Sequence, residues 1–240
     1  MLYILTFLFG CITAQKQQRA ESRIMLGSAY LKEGDIPGAI GMLQEATKFN
    51  PKSAEAWEKL GLAYYAQGAS ERAEYAFKKA LRISPERAET NNNYALILLD
   101  QERYEDAIQH FVVASTDLSY RNTAMVLSNL GRAQQLAQEP EAALKSLNNA
   151  VRRAPNLCIA RFNRGLVLKE LSQNLEALED FKAVIKMCGD TATGAYYQAA
   201  LILHSTDQPA ACSYLQTVIT EAMGSSLAIQ ANQSHQELCK

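Results

Sequence analysis

The sequence predicts an all-α, right-handed solenoid of six stacked helical hairpins with a C-terminal capping helix. Three observations predict it. Ala39, Ala73, Ala107, Ala143, Ala177 and Ala211 recur at intervals of 34, 34, 36, 34 and 34 residues. Twelve residues before each stands Gly27, Gly61, Ala95, Gly131, Gly165 or Ala199. Seven residues after each stands Ala46, Ala80, Ala114, Ala150, Val184 or Val218. A fixed period of this length marks one supersecondary unit repeated along the chain.

These small residues fall at positions 8, 20 and 27 of the tetratricopeptide repeat, which the chain resembles over about residues 20 to 222. The second repeat carries the whole signature: Trp57, Leu60, Gly61, Tyr64, Ala73, Phe77, Ala80 and Pro85. The expected fold is six tetratricopeptide helical hairpins plus the cap. The spacing has a physical cause. At positions 8 and 20 the two antiparallel helices approach most closely, so only Gly or Ala fits. At position 27 the second helix meets the next hairpin. Large residues such as Leu60, Tyr64 and Phe77 fill the space around these contacts. Pro51, Pro85 and Pro155 stop the second helix, because proline lacks an N–H and clashes with the preceding turn. Gly34 and Gly68 supply the turn inside a hairpin. A single hairpin cannot bury its apolar face; stacking does.

The period breaks in two places. Ser119 stands where the third repeat would end in proline, and two extra residues precede the fourth, within 116–124. This predicts a longer loop that alters the superhelix pitch. After the sixth repeat, residues 225–240 form the candidate cap, with Leu227, Ile229 and Leu238 as its apolar side chains.

The first eleven residues differ from the rest. Leu2 to Phe9 is almost uninterrupted apolar sequence, followed by Gly10 and Cys11. It reads as the apolar core and cleavage region of a secretion signal, shorter than the roughly 18 apolar residues needed to span a bilayer. Leu8-Phe9-Gly10-Cys11 is similar to the bacterial lipobox, which implies lipidation of Cys11. No Lys or Arg precedes the apolar run, and the alternative is an apolar stub packed on the first hairpin. Residues 12–19 are polar and read as a tether.

Apolar residues make up 48% of the chain, enough for a large core, and the formal net charge is −1. So small a charge excludes a broad electrostatic field for nucleic acid or an anionic membrane. His110, His204 and His235 share no ligand spacing, no phosphate loop is present, and no nucleophile–base set can be assigned. No enzyme, cofactor, metal or small-molecule substrate is expected.

The inner helices carry the candidate binding residues. Position 6 of the repeat reads Met25, Lys59, Asn93, Asn129, Asn163 and Tyr197. Three successive asparagines there make a ladder, and an amide offers both donors and an acceptor to an extended partner backbone. Asn92 sits beside it at position 5. The partner-binding groove is therefore assigned to Asn92, Asn93, Asn129, Asn163 and Tyr197; solvated groove residues are the alternative. Replacing the ladder is expected to leave helicity unchanged. The Lys and Asn clamp for a C-terminal carboxylate is missing, since Glu58 and Asn92 hold those positions.

Beyond Cys11 the chain has Cys158, Cys188, Cys212 and Cys239, which allow three pairings. Cys158 and Cys188 are positions 1 and 31 of the fifth repeat, the two free ends of one hairpin. A cap running antiparallel to the second helix of the sixth repeat brings Cys239 beside Cys212. The expected bridges are Cys158–Cys188 and Cys212–Cys239, formed in an oxidising compartment. Four buried thiols are the alternative.

The chain also resembles the type IV pilus pilotins, outer-membrane lipoproteins of the PilF, PilW and Tgl kind. Leu8 to Cys11, Asn92-Asn93-Tyr94, Arg103-Tyr104-Glu105-Asp106-Ala107, Asn129-Leu130-Gly131 and the long junction ending in Tyr120 carry the likeness. A cysteine pair found in some members is absent, with Asp100 and Ala133 near its place. The resemblance implies help in assembling the outer-membrane secretin ring, from the periplasmic face and held to the membrane through the N-terminal lipid only. The secretin or another envelope protein is the implied partner. A generic periplasmic or cytosolic peptide-binding adaptor, or a subunit of an envelope enzyme, is the alternative.

Overall fold

The computed structural model describes residues 2–117 and 119–239, with side chains from residue 14 onward except 190 and 191. The chain divides into two compact units, Met1–Tyr120 and Arg121–Lys240. The division falls inside the junction where the repeat period breaks.

In the first unit the helices are α1 (Leu2–Glu33), α2 (Ile36–Phe49), α3 (Ala54–Ala66), α4 (Ser70–Ile83), α5 (Ala88–Asp100) and α6 (Tyr104–Thr116). They pair as three antiparallel hairpins, and each hairpin packs on the next. The second unit holds α7 (Thr123–Leu136), α8 (Pro140–Arg153), α9 (Cys158–Glu170), α10 (Asn174–Cys188), α11 (Thr193–Leu203), α12 (Gln208–Glu221) and α13 (Ser226–Leu238). It repeats the arrangement with three hairpins, and α13 lies against α12. No described residue forms a strand. The fold is all-α, built of tetratricopeptide hairpins.

The close approach inside each hairpin is visible at the glycines. A Cβ on Gly61 would lie 2.8 Å from the Phe77 ring, and one on Gly165 would lie 2.6 Å from the Phe181 ring. Ala39, Ala73, Ala107, Ala143, Ala177 and Ala211 are all 0% exposed. Four residues beyond each, Leu43, Phe77, Phe111, Leu147, Phe181 and Leu215 are also 0% exposed. One large side chain per hairpin therefore fills the space over the small position. Burying each contributes about 1.5–3 kcal/mol.

The turn within a hairpin uses the left-handed region at one recurring position. Gly34 and Gly68 have φ of +81° and +80°, and Glu102, Gln138 and Ser172 stand at 60°, 64° and 60°. Only the first two repeats supply the residue that adopts this conformation without steric cost.

The segment read as a tether is helical: α1 runs from Leu2 to Glu33, and residues 14–19 are exposed. Lys16, Gln17, Gln18 and Arg19 are good helix formers with no breaker among them, so helix propagates through the stretch. In the cap, Ile229 is 70% exposed. The helical period instead turns Ala228 and Ala231 inward, with Leu227 and Leu238 packed beside Leu215 and Val218. Ser225 caps α13 by accepting from the Ala228 N–H at 3.1 Å.

Candidate functional site: the inner-helix polar network

In the first unit the inner helices α3 and α5 meet through a polar cluster centred on Glu58, which is 0% exposed. Its Oε1 accepts from Asn93 Nδ2 at 3.1 Å and Lys59 Nζ at 3.2 Å. Its Oε2 accepts from Thr90 Oγ1 at 2.6 Å and Arg87 Nε at 3.2 Å. Glu89 completes the cluster, taking Lys59 at 2.8 Å and Arg87 at 3.0 Å. Two carboxylates face two cations, so a charge that would be costly alone is buried neutralised.

The cluster also holds Lys59 and Glu89 in their charged forms. Burial opposes the charge of Lys59, but its bonds to Glu89 and Glu58 outweigh that, and its pKa stands above the ordinary lysine value. Burial likewise opposes the Glu89 carboxylate, while Lys59 and Arg87 together hold its pKa below the ordinary value.

The asparagines of the sequence ladder do not share one environment. Asn93 is half-buried and donates to Glu58, as above. Asn92 is half-buried and donates its Nδ2 to Asn93 Oδ1 at 3.4 Å. In the second unit Asn163 is only 5% exposed and donates its Nδ2 to Ser128 Oγ at 3.3 Å. This corrects its assignment to an open groove. Asn129 is half-buried. Tyr197 places its hydroxyl 3.4 Å from Ser234 Oγ on the cap.

Asn93 and Asn163 thus play one role. Each reaches back 35 residues to position 5 of the preceding repeat. These two side chains stitch hairpin to hairpin, so they contribute to packing as well as to any binding face. Sequence reading placed Glu58 only as a departure from a carboxylate clamp and missed it as the hub. The available signal was an acidic residue at position 5 with Lys59 beside it and Arg87 and Thr90 one repeat on.

The cysteines pair as Cys158 with Cys188 and Cys212 with Cys239, with Cα separations of 6.7 and 5.8 Å. Both lie within the range that a disulfide spans. The first joins the start of α9 to the end of α10; the second joins α12 to the residue after α13. Gln208 Nε2 adds a 2.6 Å bond to the Leu238 carbonyl. The side chain of Cys11 lies outside the described residues.

Among the described residues no group of three or more His, Cys, Asp or Glu is placed to hold a metal ion, and no helix is long and apolar enough to cross a membrane.

Comparison with known proteins follows the same lines. The tetratricopeptide-repeat family profile matches residues 24–88. The type IV pilus assembly protein PilF of Pseudomonas aeruginosa is 31% identical over 155 residues, which cover 60% of this chain and 62% of that protein. The chain therefore aligns with about three fifths of that relative's length. The crystallised P. aeruginosa PilF superposes with a TM-score of 0.81 at 23% identity, covering 92% of this chain and 99% of the other. PilW, described as a widely conserved type IV pilus biogenesis factor, gives a TM-score of 0.77 at 21% identity, with 88% and 97% covered.

Proposed function

We propose that this tetratricopeptide-repeat protein, homologous to a type IV pilus assembly protein, is a protein-binding scaffold of type IV pilus biogenesis. It is an outer-membrane lipoprotein anchored through Cys11, facing the periplasm and assisting assembly of the secretin ring. The observation that carries the reading is the 31% identity to PilF over 155 residues. The lipobox-like Leu8 to Cys11 and the cysteine pairing, which requires an oxidising compartment, support the envelope location.

The inner-helix faces are the proposed partner surfaces, with Asn92 and Asn93 in the first unit and Asn129 and Tyr197 in the second. Asn163 supports its neighbours by holding α9 to α7. A secretin segment laid along such a face would meet amide donors and acceptors suited to an extended backbone.

The test has two parts. Cys11→Ser is expected to abolish incorporation of a fatty-acid analogue and to release the protein from membranes. Affinity capture from envelope extract with the wild-type chain is expected to recover the secretin. Unchanged labelling of the serine variant would remove the anchor from the account, and capture without secretin would remove the partner.

A further inference from the structure

The outer side of the first unit carries a second surface, distinct from the inner-helix network. Between α2 and α4, over α3, lies an open cavity of about 760 Å³ lined by Trp57, Tyr64 and Tyr75 with Lys48, Glu71 and Arg72 at its margin. Tyr75 is 57% exposed, although it is a large aromatic side chain. The rings are fixed in place. Trp57 meets Tyr75 edge-on with centroids 6.2 Å apart, and its Nε1 donates to the Pro51 carbonyl at 2.9 Å. The Tyr64 hydroxyl accepts from Gln44 Nε2 at 2.9 Å.

Cations lie on these rings. The Arg72 guanidinium sits 5.7 Å over Tyr64, and the Lys79 ammonium 5.4 Å over Tyr75. Among the described residues none of Lys48, Arg72 and Lys79 is ion-paired. Lys48 and Arg72 line the cavity against one acid, Glu71, and Lys79 adds a third cation beside it through Tyr75, so the charge next to the aromatic rings is positive. Other cations of this unit are held by acids: Arg103 holds Asp106 and Glu74, and Arg87 holds Glu58 and Glu89, whereas Lys48, Arg72 and Lys79 remain available. Unpaired cations beside preset aromatic faces are what an acidic partner would complement. Flat Trp and Tyr faces at the surface are also the usual seat of proline rings in an extended chain.

We infer that this cavity is a docking site for an acidic, proline-containing protein segment. Carboxylates of the segment pair with Lys48 and Arg72, with Lys79 nearby over Tyr75, while a proline ring packs on the surface that the touching Trp57 and Tyr75 rings form together. The site uses none of the inner-face residues, so it stands or falls independently of the pilus reading.

Trp57 is the protein's single tryptophan, so its emission reports the cavity directly. The full chain is titrated with the peptide acetyl-Glu-Pro-Glu-Pro-Pro-Glu-Pro-Asp-amide. A saturable change in Trp57 emission is expected, weakening as salt rises. Tyr75→Ala, an exposed change monitored for folding by circular dichroism, is expected to weaken binding on the order of tenfold, read by calorimetry. Arg72→Ala is expected to weaken it several-fold and to flatten the salt dependence. No saturable response overturns the inference, as does an equal response to the peptide with lysine for each acid or alanine for each proline. Self-association that Tyr75→Ala abolishes, without any peptide response, would give the surface to a second copy and likewise overturn it.

Discussion

Asn93 Nδ2 lies 3.1 Å from Glu58 Oε1, and the bond joins the inner helix of one hairpin to the inner helix of the next. Glu58 is fully buried and all its partners are polar or cationic. Removing the acid leaves Thr90 and Asn93 without their acceptor and Arg87 and Lys59 with Glu89 alone. Glu58→Ala is expected to destabilise the first unit by about 1–3 kcal/mol, measured by urea denaturation. Asn93→Ala, which removes one donor, should cost about 1 kcal/mol.

The same cluster sets a pH dependence. Glu89 has its pKa depressed in the folded state, so its contribution is complete above the unfolded carboxylate value and is lost as pH falls through the folded one. Lys59 is raised, so its contribution is complete below the unfolded lysine value and is lost as pH rises through the folded one. The melting temperature should therefore be flat through neutral pH and fall at both acidic and strongly alkaline ends. Glu89→Gln should shrink the acidic fall relative to wild type.

Asn163 and Ser128 offer a cleaner separation of binding from packing. Asn163→Ala is expected to lower stability by about 1 kcal/mol, because a buried donor is lost and the Ser128 hydroxyl is left facing a gap. Asn129→Ala should leave stability nearly unchanged and weaken partner capture. Equal capture by the Asn129 variant and the wild type would place the partner elsewhere.

Most of the stacking was legible in the sequence because its cause is local. A helix pair approaching to within 3 Å of a would-be Cβ tolerates only Gly or Ala, and that restriction recurs at a fixed spacing. The Cys158–Cys188 pairing was legible for the same reason, since hairpin geometry brings repeat positions 1 and 31 side by side, and Cys212–Cys239 needed only a cap antiparallel to α12. The Glu58 cluster was not, because it depends on the rotamers of six residues from two hairpins. The aromatic cavity was hidden too: Trp57 and Tyr64 read as signature core residues, and nothing in their spacing says that Tyr75 stays exposed.

The turns give a stability test that involves no contacts. Ser172 adopts φ of 60°, where Gly34 and Gly68 stand in the first two repeats. Ser172→Gly removes a steric cost of about 1–2 kcal/mol and adds an entropic cost of about 0.5–1 kcal/mol. A net gain of about 0.5–1 kcal/mol is expected from chemical denaturation. A loss would show that the serine side chain contributes something the turn geometry does not explain.

The two bridges close loops with sequence separations of 30 and 27 residues. Each is expected to contribute roughly 3–4 kcal/mol through the entropy of the unfolded chain. Protein isolated from its native cells with thiols blocked at lysis should show no free thiol among Cys158, Cys188, Cys212 and Cys239 by mass spectrometry. Reduction should lower the stability of the second unit and leave the first unaffected.

The most direct test of the central claim is the state of the secretin in cells lacking this protein. Membranes from the deletion strain are fractionated, and the secretin is scored as assembled ring or monomer. Loss of rings and of surface pili, restored by the wild-type gene and not by the Cys11→Ser form, is the predicted result. A deletion strain with normal secretin rings and normal pili would contradict the account.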